Sequence, residues 1–421
     1  MPVGGAAETS ERISRVIFDY AARISQEQDI DALLRLNADM ARDLVAAERC
    51  SIWLVDHAAG QIRTRVAHGV EELRIGLGDG LVGFCIAQGK SLVINDAASD
   101  RRFLVHVDET TGFVTKSVLV IPLRSADGTV IGALQALNKQ GGFTESDVTL
   151  LGLAGSYSAV AIETQRLRQE AETARMFMRE LEIAREVQAR LLPQDPPRLE
   201  RVETATFFRP ARLVGGDYYD LVRAPDGGLA FTLGDVSGKG IPAAVFMASM
   251  QASLRIPLVR GRQLLSDLIA DVNDSAHASA SAGRYSTGFC GLLDSEARTL
   301  TYVNAGHCPP MLVRRGEDGE ATVRHLAASG FPLGIFPGVQ YEQEVVGLEP
   351  GDLLVCYSDG ISEATNTKDE MWGESGIEKL LKDSLGRSAD EVTSRLAEAA
   401  DKFAAGAEQA DDMTIVTLRI L

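Results

Sequence analysis

The sequence predicts an α+β protein of two domains: an antiparallel sheet with helices, then a helical linker, then a layered α/β sandwich. Three observations lead there. The chain has 421 residues, above the usual size of one domain, so two bodies with separate cores are expected. Short apolar runs bounded by Gly, Asp and Asn fill two stretches, from Arg49 to about residue 140 and from Val202 onward, as strands do. Between them, from about Ser156 to Leu192, runs a helical pattern free of Gly and Pro, and Pro193 ends it.

Residues 1–27 are a small-residue tail entering a helix. Apolar positions Ile13, Val16, Ile17, Tyr20 and Ile24, then Ile30, Leu33, Leu34, Leu36, Met40 and Leu44, predict two helices. Residues 28–166 form the first domain. Its runs CSIWLVD, GLVGFCIAQGKSLVIND and KSVLVIPLRSADGTVIGALQALN read as strands, with SADGTV as a hairpin turn. Residues 167–194 form the linker, where Leu167, Ala171, Ala174, Met178 and Leu181 alternate in steps of four and three. That is the seam of a short coiled coil, which implies a homodimer through the linker. The alternative is one amphipathic helix packed on its own chain. Beyond Leu181 the apolar phase shifts to Ile183, Val187 and Leu191, and PQDPPR closes the linker as a stiff boundary. Residues 195–421 alternate strand runs (GLAFTLGD, TLTYVNAG, DLLVCYSD, MTIVTLRI) with helical segments near Pro242–Ile256 and Ala389–Ala405. Strands around grouped helices predict a layered body rather than an alternating parallel sheet.

Composition narrows the function. Lys and Arg number 42 against 59 Asp and Glu, a formal charge of -17, which argues against nucleic acid or anionic membrane as a partner. The five cysteines are scattered without a C-x-x-C pair, so neither a disulfide framework nor a thiolate zinc site is expected. No basic leader and no run of about 18 apolar residues stands out, and a cytoplasmic location is expected.

The acidic residues of the C-terminal half fall in a pattern. VGGDYYD (Asp217, Asp220), LGDVSGKG (Asp235), YSDGISEA (Asp359) and ADDMTIV (Asp411, Asp412) each put an aspartate beside glycine or a second acid at the end of an apolar strand run. Carboxylates gathered on one sheet rim repel each other unless hard cations neutralise them, and oxygen-only ligands point to Mg²⁺ or Mn²⁺. Two such ions about 3.5–4 Å apart aim a hydroxide at phosphorus without a side-chain nucleophile.

VGGDYYD, GDVSGKG, NAGHCPP, YSDGISEA and ADDMTIV, in this order, resemble the metal-dependent protein phosphatases of the 2C type, in the bacterial branch that acts on stress and sporulation regulators. The resemblance covers about residues 195–421. It implies a protein serine/threonine phosphatase with two Mn²⁺ or Mg²⁺ ions, acting on a phosphorylated regulatory protein such as an anti-sigma factor antagonist. By position, Asp217, Asp235, Asp359 and Asp411 would be catalytic metal ligands, with Asp235 bridging, the Val236 carbonyl completing one site, and Asp412 a further ligand where many relatives have Asn. Asp220 reads as a turn cap rather than a ligand, and His307 as a structural hydrogen-bonding group rather than an acid catalyst. Arg209, Arg212 and Lys239 are candidates for phosphate binding, with plain surface exposure as the alternative. GDVSGKG is one residue short of a nucleotide-binding phosphate loop and ends in Gly. A phosphoprotein-binding pseudophosphatase is the rival reading.

Residues 28–166 resemble a GAF domain, a sensor module that takes small ligands, so a small-molecule ligand of unknown identity is implied. Asn138, Lys139, Phe143 and Asp147 resemble the signature of cyclic-nucleotide-binding GAF domains, although Val148 stands where an acid is expected. Equally, Thr144 and Asp147 form a capping box and Lys139 pairs with that acid. Cys85 reads as a buried hydrophobe, and His68 and His106 as loop polar groups rather than haem ligands.

Overall fold

The computed structural model describes residues 4–24, 26–27, 29–57, 59–67, 73–261, 263–279, 283–327 and 330–421; His68 lies outside them. Contacts divide the chain into two units, Met1–Arg175 and Met176–Leu421.

In the first unit the order is α1 (Gly4–Ile24), α2 (Ile30–Val45), β1 (Ala47–Asp56), β2 (Gln61–Ala67), β3 (Arg74–Gly76), α3 (Gly80–Gln88), β4 (Leu92–Ile94), α4 (Val105–Thr111), β5 (Val118–Arg124), β6 (Val130–Lys139) and α5 (Glu145–Leu191). The strands form one antiparallel sheet in the order β3-β2-β1-β6-β5-β4. One face buries Leu34, Ala38 and Ala41 of α2 and Leu151 and Ala154 of α5 against Ile52, Leu119 and Leu134. The other packs Leu81, Val82 and Cys85 of α3 against Trp53, Val120 and Ala133. SADGTV makes the expected hairpin, closed by Ser125 N–H to Thr129 O at 2.9 Å.

One element departs from the sequence reading. GLVGFCIAQ is the helix α3, not a strand. A short apolar run has no period that separates the two, and here Asp79 stands at its start while Gly89, at φ 61°, ends it in the left-handed region.

In the second unit the strands are β7 (Val202–Arg209), β8 (Tyr218–Arg223), β9 (Leu229–Val236), β10 (Ser286–Asp294), β11 (Thr299–Ala305), β12 (Met311–Arg315), β13 (Ala321–His325), β14 (Glu344–Gly347), β15 (Leu353–Tyr357) and β16 (Met413–Ile420). The helices are α6 (Ile241–Arg260), α7 (Leu265–Ser279), α8 (Asp359–Ser362), α9 (Gly373–Lys382) and α10 (Ala389–Ala404). Two five-stranded antiparallel sheets result, β14-β11-β10-β9-β8 and β13-β12-β15-β16-β7. Their facing sides bury Leu221, Phe231, Phe289, Tyr302, Leu354 and Val416. The outer face of the first sheet is covered by α6 and α7, through Met247, Met250, Leu254 and Ile269. The outer face of the second is covered by α9 and α10, through Ile377, Leu381, Val392 and Leu396.

The layered sandwich is therefore as expected, with α7 and α9 added. Helix α6 is long and apolar enough by composition to cross a membrane, unlike the sequence reading, yet it packs Ala243, Met247, Met250 and Leu254 into the core. The linker continues the first domain's last helix without a break, over 47 residues. On it Leu167, Phe177, Met178, Ile183 and Val187 stand exposed.

Candidate active site

Antiparallel pairing brings the acidic motifs to one rim. Tyr218 opposes Gly234, so Asp217, just before β8, meets Asp235 near the end of β9. In the other sheet Tyr357 opposes Ile415, so Asp359, just after β15, meets Asp411 and Asp412, just before β16. The two rims are tied across the sandwich. Thr414 Oγ1 donates to Asp217 Oδ2 at 2.5 Å, and Asp412 accepts from Gly216 N–H at 2.6 Å and Asp217 N–H at 3.3 Å.

Glycine makes this closeness possible at two points. A Cβ on Gly216 would lie 2.8 Å from the Val236 carbonyl and 3.3 Å from Asp235 Oδ1, and one on Gly360 would lie 2.1 Å from the Asp412 carbonyl. Any side chain there would push the acidic loops apart.

The carboxylates feel one another. Burial, and next the charges of Asp359 and Asp411, push the Asp235 carboxyl up to about 7. Burial, then Asp411, raises Asp359 to about 6. Asp217, fully buried beside Asp235 and Asp412, is raised well above the ordinary carboxylate range. Such a set favours bound cations, since hard divalent ions replace the protons that repulsion would otherwise demand. Among the described residues no three His, Cys, Asp or Glu side chains already converge as a cage. The fit rests on the donor chemistry instead: four carboxylates on one rim, beside a carbonyl approached through a glycine. Asp217, Asp235, Asp359, Asp411 and the Val236 carbonyl suit a hard divalent ion.

Three other predicted residues take different roles. Asp412 also accepts Ala211 N–H at 2.8 Å, so both its oxygens are engaged by backbone donors. It clasps the Asp217 loop rather than facing a metal as the resemblance implied. Asp220 is not a turn cap but a buried residue of β8, paired with Arg255 Nη1 at 2.7 and 2.9 Å. Arg209 is held by Asp401 and Gln409 on the α10 side, which removes its guanidinium fork from phosphate binding.

Lys239 does reach the rim, with Nζ 2.6 Å from the Ala410 carbonyl and 3.0 Å from Asp411 Oδ2. Arg212 is exposed and makes no ion pair among the described residues. The backbone of its neighbour Ala211 is tied to Asp412, which keeps Arg212 next in sequence to that loop. His307 is buried, its Nδ1 is 2.8 Å from Thr287 Oγ1, and burial lowers it to about 4. It is thus neutral near pH 7, fitting the structural role.

Sequence reasoning missed Gln188. From the end of α5 its amide donates to Gly215 O at 2.7 Å and accepts from Gly215 N–H at 3.0 Å, both buried. These bonds hold the VGGD loop from behind. A lone amide among charged helix residues gives no signal for this. Thr414 was also missed, although a threonine in a largely apolar strand is a visible hint of an internal partner.

In the first unit a cavity opens on the α3 side of the sheet, lined by Trp53, Leu81, Phe103, Phe113, Gln135 and Arg49. Trp53 Nε1 donates to Gln135 at 2.9 Å, and Arg49 lies 4.0 Å over the Phe113 ring. The nucleotide-like signature does not line it. Lys139 pairs with Asp147 at 2.5 Å, Asp147 accepts Thr144 N–H, and Asn138 braces the backbone of Lys116 and Ser117. These are structural bonds. Cys85 is buried, its thiol pushed up to about 12 by burial, and His106 is exposed on α4.

Comparison with known proteins agrees with this architecture. The model of the stage II sporulation protein E (SpoIIE) family matches residues 225–421, and that of the GAF domain matches residues 29–162. The chain is 26% identical over 310 residues to protein IcfG of Synechocystis, covering 67% of this chain and 48% of IcfG. It is 29% identical over 255 residues to the phosphoserine phosphatase RsbU of Bacillus subtilis, covering 60% of this chain and 74% of RsbU. It thus spans about half the length of the first and three quarters of the second. The SiaA-PP2C domain of Pseudomonas aeruginosa superposes over 60% of this chain and 100% of its own, with TM-score 0.53 and 20% identity, a likeness of fold. The chain therefore carries a GAF domain over residues 29–162 and a SpoIIE-family domain over residues 225–421.

Proposed function

We propose that this chain is a cytoplasmic, metal-dependent protein serine/threonine phosphatase. It removes phosphate from phosphoserine or phosphothreonine on a regulatory protein, with an anti-sigma factor antagonist as the favoured class, under control of its GAF domain. The observation that carries the reading is the rim that gathers Asp217, Asp235, Asp359 and Asp411 from four strand ends, where burial and neighbouring charge raise the proton affinity of Asp217, Asp235 and Asp359. Two bound Mn²⁺ or Mg²⁺ ions would supply an activated water and neutralise the phosphate.

The residues divide the work. The four aspartates and the Val236 carbonyl would hold the ions; Asp412, Thr414 and Gln188 fix the loop that carries Asp217. Arg212, which makes no ion pair among the described residues, is the favoured cation to orient the phosphate, while Lys239 is tied to Asp411. The exposed apolar row on α5 supports a homodimer through the linker, and the apolar cavity of the first unit supports a small-molecule ligand for the sensor.

The test is hydrolysis of p-nitrophenyl phosphate and a phosphoserine peptide with Mn²⁺, with Mg²⁺ and with chelator. Metal-dependent turnover that vanishes in Asp235→Ala supports the enzyme. Tight binding of the phosphopeptide without turnover, in the presence of either metal, would support the pseudophosphatase instead.

A further inference from the structure

The segment from Gly330 to Gly338 presents two phenyl rings to solvent from a backbone that is firmly held. Phe331 and Phe336 are 58% and 52% exposed, and their rings meet edge to face at 5.7 Å between centroids. Around them the chain is pinned. Leu333 is buried and exchanges both backbone hydrogen bonds with Ser286, at 2.9 and 2.7 Å. Asn273 bonds Gly334 N–H and Phe336 O, and Tyr341 O–H donates to Phe331 O. Asp274 takes Gly338 N–H.

An apolar pair that stays in water on such a scaffold loses little conformational freedom when a partner covers it, which is the property of an interface anchor. Its position identifies the partner. Ser286, which pairs with Leu333 on one side, pairs with Val236 on the other and donates to the Asp235 carbonyl at 3.0 Å. Tyr285, 38% exposed, exchanges backbone and hydroxyl bonds with Ser237, two residues beyond Asp235. Tyr285, Phe331 and Phe336, an apolar track, are thus carried on backbone that is hydrogen-bonded through Ser286 and Ser237 to the segment holding Asp235.

Resting on the phosphatase reading above, we infer that this track is the substrate-selecting surface, and that it takes an apolar side chain carried on the same segment as the phosphoserine. Counting one strand spacing from Asp235 to Ser286, another to Leu333 and two residues along the chain gives roughly 10–15 Å. An extended peptide spans that in about three to five residues. The preferred substrate has Leu, Met or Phe three to five positions from the phosphoserine, whereas an acidic residue there is disfavoured.

The test uses the full chain with Mn²⁺ and a panel of phosphoserine decapeptides carrying Leu, Phe, Ser or Glu at the third to fifth positions on either side, with p-nitrophenyl phosphate as a substrate too small to reach the track. Covering one phenyl ring is expected to raise kcat/KM about 10-fold or more for the Leu and Phe peptides over the Ser peptide. In the double variant Phe331→Ser/Phe336→Ser that preference falls to about one, while p-nitrophenyl phosphate turnover and melting temperature stay as in the parent. Equal rates across the panel, alongside normal p-nitrophenyl phosphate turnover, would overturn the inference and leave the phosphatase reading standing. No turnover of any substrate by the parent chain would sink both. If the double variant keeps the preference but changes oligomeric state, the rings serve contact with a second copy and the inference fails.

Discussion

Replacing Gln188 with Met keeps the side-chain length and removes both hydrogen bonds to Gly215. Both bonded groups are buried, so the variant leaves a backbone N–H and a C=O without partners, each at a cost of about 1–3 kcal/mol. The strain falls on the VGGD loop, whose other tethers are the Asp412 clasp and the Thr414 hydroxyl on Asp217. If about 2–3 kcal/mol of it opposes the arrangement in which Asp217 joins the other carboxylates, metal affinity drops about 30- to 150-fold. The measurement is calorimetric titration of Mn²⁺ into parent and variant, paired with the Mn²⁺ dependence of p-nitrophenyl phosphate hydrolysis. Half-saturation should shift upward while the rate at saturating metal changes far less, because no metal ligand or phosphate contact has been removed. Glu186→Gln, an exposed site on the same helix, should leave both unchanged. An unaltered Mn²⁺ isotherm in a folded Gln188→Met protein would refute the idea that the linker's end holds the metal loop.

Other consequences are open to direct measurement. Asp235→Asn should lower metal-dependent hydrolysis by more than about 100-fold, beyond the usual effect of losing a residue that merely supports a ligand, while circular dichroism stays that of the parent. Asp235 and Asp359 carry raised proton affinities, about 7 and about 6, so the folded chain binds more protons than the unfolded one between about pH 4 and 7. The stability tied to those protons is full below pH 4 and is lost as pH rises through 6 and 7. In chelator, the phosphatase unit should thus melt lower at pH 8 than at pH 5, and Mn²⁺ should raise melting far more at pH 8; equal Mn²⁺ shifts at both would contradict the assignment. Arg255→Leu strands the buried Asp220 carboxylate and should cost about 2–4 kcal/mol in urea unfolding, toward the lower side because Arg255 is itself half exposed. Leu181→Asp should convert a linker dimer to monomer in light scattering, and an unchanged mass would remove the coiled-coil seam from the account.

Most of the architecture was legible because it follows from period and punctuation. The strands of the second unit were readable as apolar runs with an aspartate beside glycine or a second acid at one end, and those same run ends are the rim. The helix α3 was not readable, since GLVGFCIAQ is apolar on every side and only its partners in the sheet decide its form. At the site, residue type located the four aspartates, but hydrogen-bond direction decided the rest. Asp412 looks in sequence like its neighbour Asp411, yet three backbone N–H groups claim it. Arg209 looks like Arg212, yet Asp401, nearly two hundred residues away, neutralises only the first. Sequence spacing carries no information about such distant partners, and Gln188 with Gly215 is a case of the same kind.

The clasp of Asp412 on Gly216 joins positions 196 residues apart, and Thr414 on Asp217 spans a similar distance. A chain emerging from the ribosome can pair β8 with β9 early, but it holds only half of the acidic rim until residues 411–420 are free to enter the second sheet. The complete acidic rim is therefore the last feature this unit acquires in synthesis, and a chain cut short before residue 411 lacks it. The GAF domain at residues 29–162 has by then long left the ribosome, so every copy that completes the rim already carries it.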